Sequence, residues 1–369
     1  VFDIYHLQNR NKKLKLLFIL FLTINIVSYA QNTPMPVLKG NRLGYINQKG
    51  EIIIDFKFET DLLKHDFEYQ GKVFKTFEIP NQAYFNNGYA TVTQRDYFLF
   101  IPLSKSNIII NENAETELNG GNFDLGKFSC GLIPIGIKDK IVDSYIDYYT
   151  YCDITGKFAI DDEYDYAGTF YDDIAVVMKD RKYYFIDKFG NSINNETYNQ
   201  VGIFSDGFAA VMIDDNWGYI NFKGSLAIKP EYEQAFSFSN GLAKVRLKDN
   251  YGYISKYGDI VVKPIYAKAN DFNDEIASVQ NDNGKWGFIN KTGKFVIQPN
   301  FISAGNFSEG LAPVDKDGKF GYINKSGEFV ISPKYDFAKE FLNGLALVWE
   351  SGKIHYINKS GEIVWTFDL

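Results

Sequence analysis

Short apolar runs separated by Gly-bearing polar turns fill the chain, and the segment from Phe307 to Phe341 shows the unit most plainly. Leu311-Ala312-Pro313-Val314 is apolar, and Asp317-Gly318 follows with the chemistry of a two-residue hairpin turn, in which both central residues adopt positive φ. Phe320-Gly321-Tyr322-Ile323-Asn324 then returns antiparallel to the first run. Lys325-Ser326-Gly327 reverses the chain again, with Gly tolerating the left-handed conformation that closes such a turn. Glu328-Phe329-Val330-Ile331 forms a third strand, which Pro333 ends because proline donates nothing to a ladder. Each unit therefore reads as a three-stranded meander. Gly310, Ala312 and Val314 share one face by their period-two spacing, which lets a neighbouring unit approach closely.

The unit recurs along the chain. Gly218, Gly252, Gly287 and Gly321 stand 34, 35 and 34 residues apart, a period that belongs to a repeat array rather than to an ordinary globular enzyme. Aromatic anchors at Tyr45, Phe100, Tyr151, Phe185, Tyr219, Tyr253, Phe288, Tyr322 and Tyr356 mark nine copies, and all but the Phe100 copy have Gly five residues later. The copies in 204–369 are regular, with Pro230, Pro264, Pro299 and Pro333 near the end of the third strand, and those in 31–203 are degenerate. Tyr45 to Phe100 spans 55 residues and Phe100 to Tyr151 spans 51, which places insertions at Thr60 to Gln82 and Lys138 to Tyr149. Insertions in repeats map to loops on one side, often the binding side.

Lys285-Trp286-Gly287-Phe288-Ile289-Asn290 resembles the signature of the WG-repeat family, also called KWG repeats, and the resemblance extends over about Leu43 to Trp365. It thins before Phe204, where Tyr183-Tyr184-Phe185, Tyr149-Thr150-Tyr151 and Leu99-Phe100-Ile101 lack the Gly. The family is common in secreted and envelope proteins of bacteria and has no shared catalytic residues, so the resemblance implies a binding protein and carries over no active site. A unit of about 34 residues cannot bury a face alone, so neighbours must stack into a continuous core. A propeller blade spends about 40–45 residues on four strands, more than this unit holds. The expected fold is all-β, with tandem three-stranded antiparallel meanders stacked as an open β-superhelix or solenoid. A closed propeller-like toroid is the alternative.

Residues 1–30 read as a secretory signal peptide: Lys12, Lys13 and Lys15 precede an apolar run from Leu16, and Ser28-Tyr29-Ala30 supplies a small-x-small exit. The run is short for a membrane span, so no span is expected after cleavage. The expected location is secreted, periplasmic or at the outer envelope of a bacterium. The whole chain holds 39 basic and 46 acidic residues, and without residues 1–30 it holds 35 and 45, a net charge of −10. This balance argues against nucleic acid as partner, because nucleic-acid binding shows as a basic surface. Two cysteines, Cys130 and Cys152, are too few to hold the array together, and their spacing does not decide whether they pair.

Catalytic chemistry finds little support. His65 and His355 are the only histidines beyond the leader, and no cluster offers a base or metal ligands at matched spacing. Asp315-Lys316-Asp317-Gly318 and Asn281-Asp282-Asn283-Gly284 look like fragments of calcium loops but run directly into strands, which makes them hairpin turns. Asp161, Asp162, Glu163 and Asp165 read as a charged sheet edge. The sequence thus predicts neither enzyme activity, nor a cofactor, nor a metal. Aromatics make up 17% of the chain, and their fixed repeat positions assign most of them to the core. Trp217, Tyr251, Trp286 and Phe320, which precede the Gly in successive repeats, would form a ladder along the array. Tyr145, Tyr148 and Tyr149 add a second aromatic group in an insertion. The functional expectation is a non-enzymatic extracytoplasmic scaffold presenting its repeat surface to a protein partner. The alternative is glycan or cell-wall binding through the ladder, and a carbohydrate-active enzyme is a further reading.

Overall fold

The turn after each middle strand is set by one side chain. Asn290 Oδ1 accepts hydrogen bonds from the backbone N–H of Thr292 at 3.0 Å and of Lys294 at 3.1 Å. Asn47, Asp153, Asp187, Asn221, Asn324 and Asn358 do the same in their own turns, so a short polar side chain satisfies the donors a tight turn would leave bare. The sequon-like triplets at Asn290, Asn324 and Asn358 are thus turn chemistry. Asn111 builds the same turn from Asn113 and Glu115 N–H, with Ala114 at φ 62° in the position Gly fills elsewhere. The anchor of this copy is therefore the buried Ile109. Phe100, assigned that role from the sequence, lies outside the described residues.

The protein is described by a computed structural model over residues 33–39, 42–59, 63–69, 72–78, 88–98, 101–111, 113–119, 123–137 and 148–367. Its strands form small antiparallel sheets that make nine blades, the first two joined edge to edge through Glu59 and Thr93. Blade 7 shows the plan, with a short leading strand Lys268–Ala269, then Ile276–Gln280, a middle strand Trp286–Asn290 and a trailing strand Phe295–Phe301. The expected three-stranded meander thus gains a two-residue fourth strand, taken from the link between repeats. The trailing strand alternates exposed and buried residues while the two central strands are almost wholly buried, so it forms the rim.

The open superhelix expected from the sequence does not form; the array closes into a propeller. Three contacts repeated between neighbouring blades recur between the last blade and the first. Tyr322 Oη donates to Lys339 O of the next blade at 2.8 Å, as do Tyr219 to Phe236 O and Tyr151 to Gly168 O, and Tyr356 Oη donates in the same way to Pro36 O at 3.4 Å. Turn glycines pack on the preceding trailing strand, Gly361 on Ile331 and Gly327 on Ile297, and Gly50 of blade 1 packs on Val364 of blade 9. Met35, Val37 and Tyr45 share one hydrophobic cluster with Leu345, Trp349, Tyr356 and Phe367. Residue count per unit misled the expectation, because four strands fit when the leading one needs only two residues. An equal rotation of about 40° at each of nine interfaces returns the chain to its start.

The Gly of the Trp-Gly motif is required by the trailing strand, which bulges at the Pro and folds over it. A Cβ on Gly287 would lie 2.7 Å from Pro299 N and 2.8 Å from Ile297 O, and Gly218, Gly252 and Gly321 are equally enclosed. The degenerate copies solve this differently. Thr150 in blade 3 donates its hydroxyl to Ile160 O at 2.6 Å. Blade 9 places His355 there and pairs it directly with Thr366 on a trailing strand without Pro. Blade 4 places Tyr184 there, and its trailing strand fails: only the isolated bridges Tyr183↔Tyr198 and Ile186↔Ser192 remain.

Of the predicted insertions, the first holds a separate hairpin of strands Leu63–Tyr69 and Lys72–Glu78. The second lies largely outside the described residues. Cys130 and Cys152 are free thiols packed in different clusters, Cys130 beside blade 4 residues and Cys152 beside Ile109 and Leu125. Burial pushes the Cys152 thiol up to about 11.

Candidate functional site

The predicted ladder serves mainly as core. Trp286 and Phe320 are 9% and 3% exposed, and Trp217 and Tyr251 are half-buried against the clusters of blades 5 and 6. Each sits opposite the aromatic that ends its trailing strand, as Trp217↔Tyr232, Tyr251↔Tyr266, Trp286↔Phe301 and Phe320↔Tyr335. They clamp the strand beyond the bulge. Tyr148 and Tyr149 are half-buried, with Tyr149 6.3 Å from the Tyr166 ring, and Tyr145 lies outside the described residues.

Exposed rings occur elsewhere, in the turns after the middle strands of three consecutive blades, set by Asp187, Asn221 and Ser255. Phe189 is 82% exposed, Phe222 60% and Tyr257 76%. The corresponding turns carry Thr155 in blade 3 and Thr292, Ser326 and Ser360 in blades 7 to 9. Solvent exposure of that degree is not accounted for by folding, since the turn closes equally well without a ring. Sequence reasoning missed these residues because it counted aromatics by repeat position; reading separately the turn that ends in Gly190, Gly224 and Gly258 would have found them.

The broken trailing segment of blade 4 leaves a cleft of about 450 Å³ against blade 5, lined by Lys182, Glu196, Asn199, Asp214, Gly224 and Leu226 among others. Two features hold it open. Tyr184 occupies the glycine position, and Asn194 stands where other blades place an apolar residue such as Ile228 or Ile297. Asn194 Nδ2 donates to Tyr198 Oη at 2.9 Å and to Gly224 O at 2.9 Å, which props the segment against the next blade through hydrogen bonds. Burial raises the Tyr198 hydroxyl pKa, the Asn194 hydrogen bond opposes this, and Glu196 adds to it. Tyr198 stays neutral and able to donate. Lys182 Nζ donates to Asn199 Oδ1 at 2.6 Å on the cleft wall. The cleft offers amide, carboxylate and ammonium groups and no deep apolar pocket.

Other sequence candidates resolve into structure. Asp315 is fully buried and its Oδ1 accepts from Gly318 N at 2.8 Å, so the calcium-like fragment is a turn. Asn281 closes its own turn likewise. Asp161, Asp162 and Glu163 are exposed on the trailing strand of blade 3, where like charges discourage another strand from pairing. Among the described residues no His, Cys, Asp and Glu group could hold a metal, and no helix is long and apolar enough to cross a membrane.

The WG containing repeat family matches residues 44–60, 149–183, 185–217, 217–251, 251–286, 286–320 and 320–353. No curated protein matches the sequence. Among solved structures, a eukaryotic initiation factor aligns with a TM-score of 0.58 at 11% identity, covering 92% of this chain and 98% of its own. BamB from Moraxella catarrhalis aligns at 0.41 and 10% identity over 72% of this chain and 92% of its own. The computationally designed Ika8 protein aligns at 0.41 and 12% identity over 74% and 94%. At such identities the first likeness concerns the propeller fold alone.

Proposed function

Because this chain belongs to the WG-containing repeat family, we propose that it is a non-enzymatic binding scaffold acting outside the cytoplasm, with its ligand surface on blades 4 to 6 and a glycan chain as ligand. One observation carries this reading: Phe189, Phe222 and Tyr257 protrude from the turns of three successive blades, two of which also form the walls of a polar cleft. Sugar rings stack on exposed aromatic faces and need no enclosing pocket, whereas a protein partner's anchor residues need apolar pockets to fill. The cleft's Asn199, Glu196, Asp214 and Lys182 suit the hydroxyls of such a chain. The leader-like residues 12–30 support export.

The test is retention of the purified chain on a panel of immobilised polysaccharides, compared with Phe189→Ala/Phe222→Ala/Tyr257→Ala. Binding lost in the triple variant at unchanged melting temperature supports the surface. Binding that survives it removes these rings from the account. Fractionation of the native cells with N-terminal sequencing of the product tests export, and a cytoplasmic product with residues 1–30 intact refutes it.

A further inference from the structure

The turn lysines of blades 5 and 6 differ from those of blades 4 and 7 to 9 in their partners. In blades 7, 8 and 9 the turn lysine is neutralised by a carboxylate: Lys291 lies 2.6 Å from Glu275, Lys325 3.9 Å from Asp274 and Lys359 3.0 Å from Glu309. In blade 4, Lys188 lies 3.0 Å from Asp173. Lys223 of blade 5 and Lys256 of blade 6 make no ion pair among the described residues. Instead their Nζ atoms lie 5.9 Å from the Phe222 ring and 5.2 Å from the Tyr257 ring.

The acids that pair with Lys325 and Lys359 come from the hairpin after the leading strand of the preceding blade, Asp274 of blade 7 and Glu309 of blade 8. Asp206 of blade 5, at the same place, accepts from Gly241 N at 2.9 Å and makes no ion pair with Lys256 of blade 6 among the described residues. Two adjacent blades thus each present a solvent-facing ammonium group beside a solvent-facing aromatic ring, in a protein whose net charge is −7. Surplus cations on an acidic protein favour an anionic ligand at that spot.

We propose that Lys223 and Lys256, with Phe222 and Tyr257, form a recognition site for an acidic polysaccharide, the uronate carboxylates meeting the ammonium groups while sugar rings stack on the aromatics. This rests on the glycan reading above and specifies its ligand class. Glu196 and Asp214 line the cleft and repel carboxylates, so the acidic residues of the chain run across the turns and its uncharged hydroxyls face the cleft. Ion pairing of this kind weakens with salt, because exposed charges are screened within about 10 Å at 0.1 M.

The experiment measures binding of the full chain to polygalacturonate and to neutral dextran at 50 and 300 mM salt (chosen about the screening range). The expected result is binding to polygalacturonate that weakens about tenfold or more in Lys223→Ala/Lys256→Ala and with added salt. Lys325→Ala/Lys359→Ala, which removes paired lysines from equivalent turns, should leave it unchanged. Lys223→Arg/Lys256→Arg should restore it. Equal, salt-independent binding to dextran that is insensitive to the lysine pair overturns the acidic ligand and leaves the aromatic surface standing. Absence of binding to any polysaccharide, with or without capture of an acidic peptide, overturns both.

Discussion

Blades 4 to 6 and blades 7 to 9 follow one strand plan but fill its turns with opposite chemistry. The hairpins between the two central strands of blades 8 and 9 use Asp317-Gly318 and Ser351-Gly352, in which Gly takes the second left-handed position without strain. Blades 4 to 6 use Asp180-Arg181, Asp214-Asp215 and Lys248-Asp249, with both residues of each pair at positive φ although neither is Gly. Blades 4 to 6 also carry the protruding rings, the two unpaired turn lysines and the broken trailing strand. A fold optimised only for closure would repeat the cheaper turns of blades 8 and 9. The divergence lies in turns and rim, which tolerate change, while a buried ring in the middle strand and a turn glycine packed on the preceding blade recur from blade 4 to blade 9.

The largest effect that would test this division is at the enclosed glycine. Gly287→Ala places a methyl group against Pro299 and Ile297 and is expected to destabilise the ring by roughly 2–3 kcal/mol, seen as a lowered melting midpoint. His355→Ala in blade 9, where no bulge covers the position, should cost about 1 kcal/mol or less. Equal effects at the two sites would refute the account of the motif. Next, the triple aromatic variant on blades 4 to 6 should weaken polysaccharide binding by about tenfold or more while changing stability by less than about 0.5 kcal/mol. Adding rings to the other half, as Thr292→Phe/Ser326→Phe, should not create binding on its own, because Lys291 and Lys325 stay paired.

An alkaline titration separates ring closure from the surface. Burial holds the Tyr253 and Tyr322 hydroxyls well above the ordinary tyrosine value of 10.0, with Asp271 adding for Tyr253 and Glu340 for Tyr322. A folded pKa above the unfolded one means that their stabilisation is complete below pH 10 and declines above it, as the unfolded chain ionises first. The melting midpoint should fall above that pH, and Tyr253→Phe/Tyr322→Phe should make the fall shallower, as Phe288 already does in blade 7. An unchanged slope would remove the inter-blade hydroxyls from the stability account. The smallest expected change is in the hairpins: Asp215→Gly and Asp249→Gly should raise stability by about 0.5–1 kcal/mol each by relieving left-handed strain. Gly318→Ala and Gly352→Ala should lower it by about as much.

Much of the blade was legible. The Asp-Gly turn, the Asn-Lys-x-Gly turn and the Pro at the rim each have a local cause, and the structure places each where that cause acts. The fourth strand was not legible, because two residues such as Lys268-Ala269 carry no periodicity of their own and become a strand only when a neighbour offers them a ladder. The register of blade 2 was misjudged since Ile109 is aliphatic and Ala114 stands in for Gly. The candidate site was partly legible: the missing Gly at Tyr183-Tyr184-Phe185 marks the blade whose rim fails. Which aromatics face solvent was decided by strand pairing, which buries Trp286 and leaves Phe189 free.

By itself the sequence determined the repeat, its period, its β-meander core and its family, because turns and alternation act over a few residues. Only the tertiary structure decided closure. An open stack and a ring use the same blade interface, and they differ by a small rotation summed over nine units that no single repeat encodes. Closure in turn brings Pro36 to Tyr356 and Gly50 to Val364, joining the two ends of the array in one core.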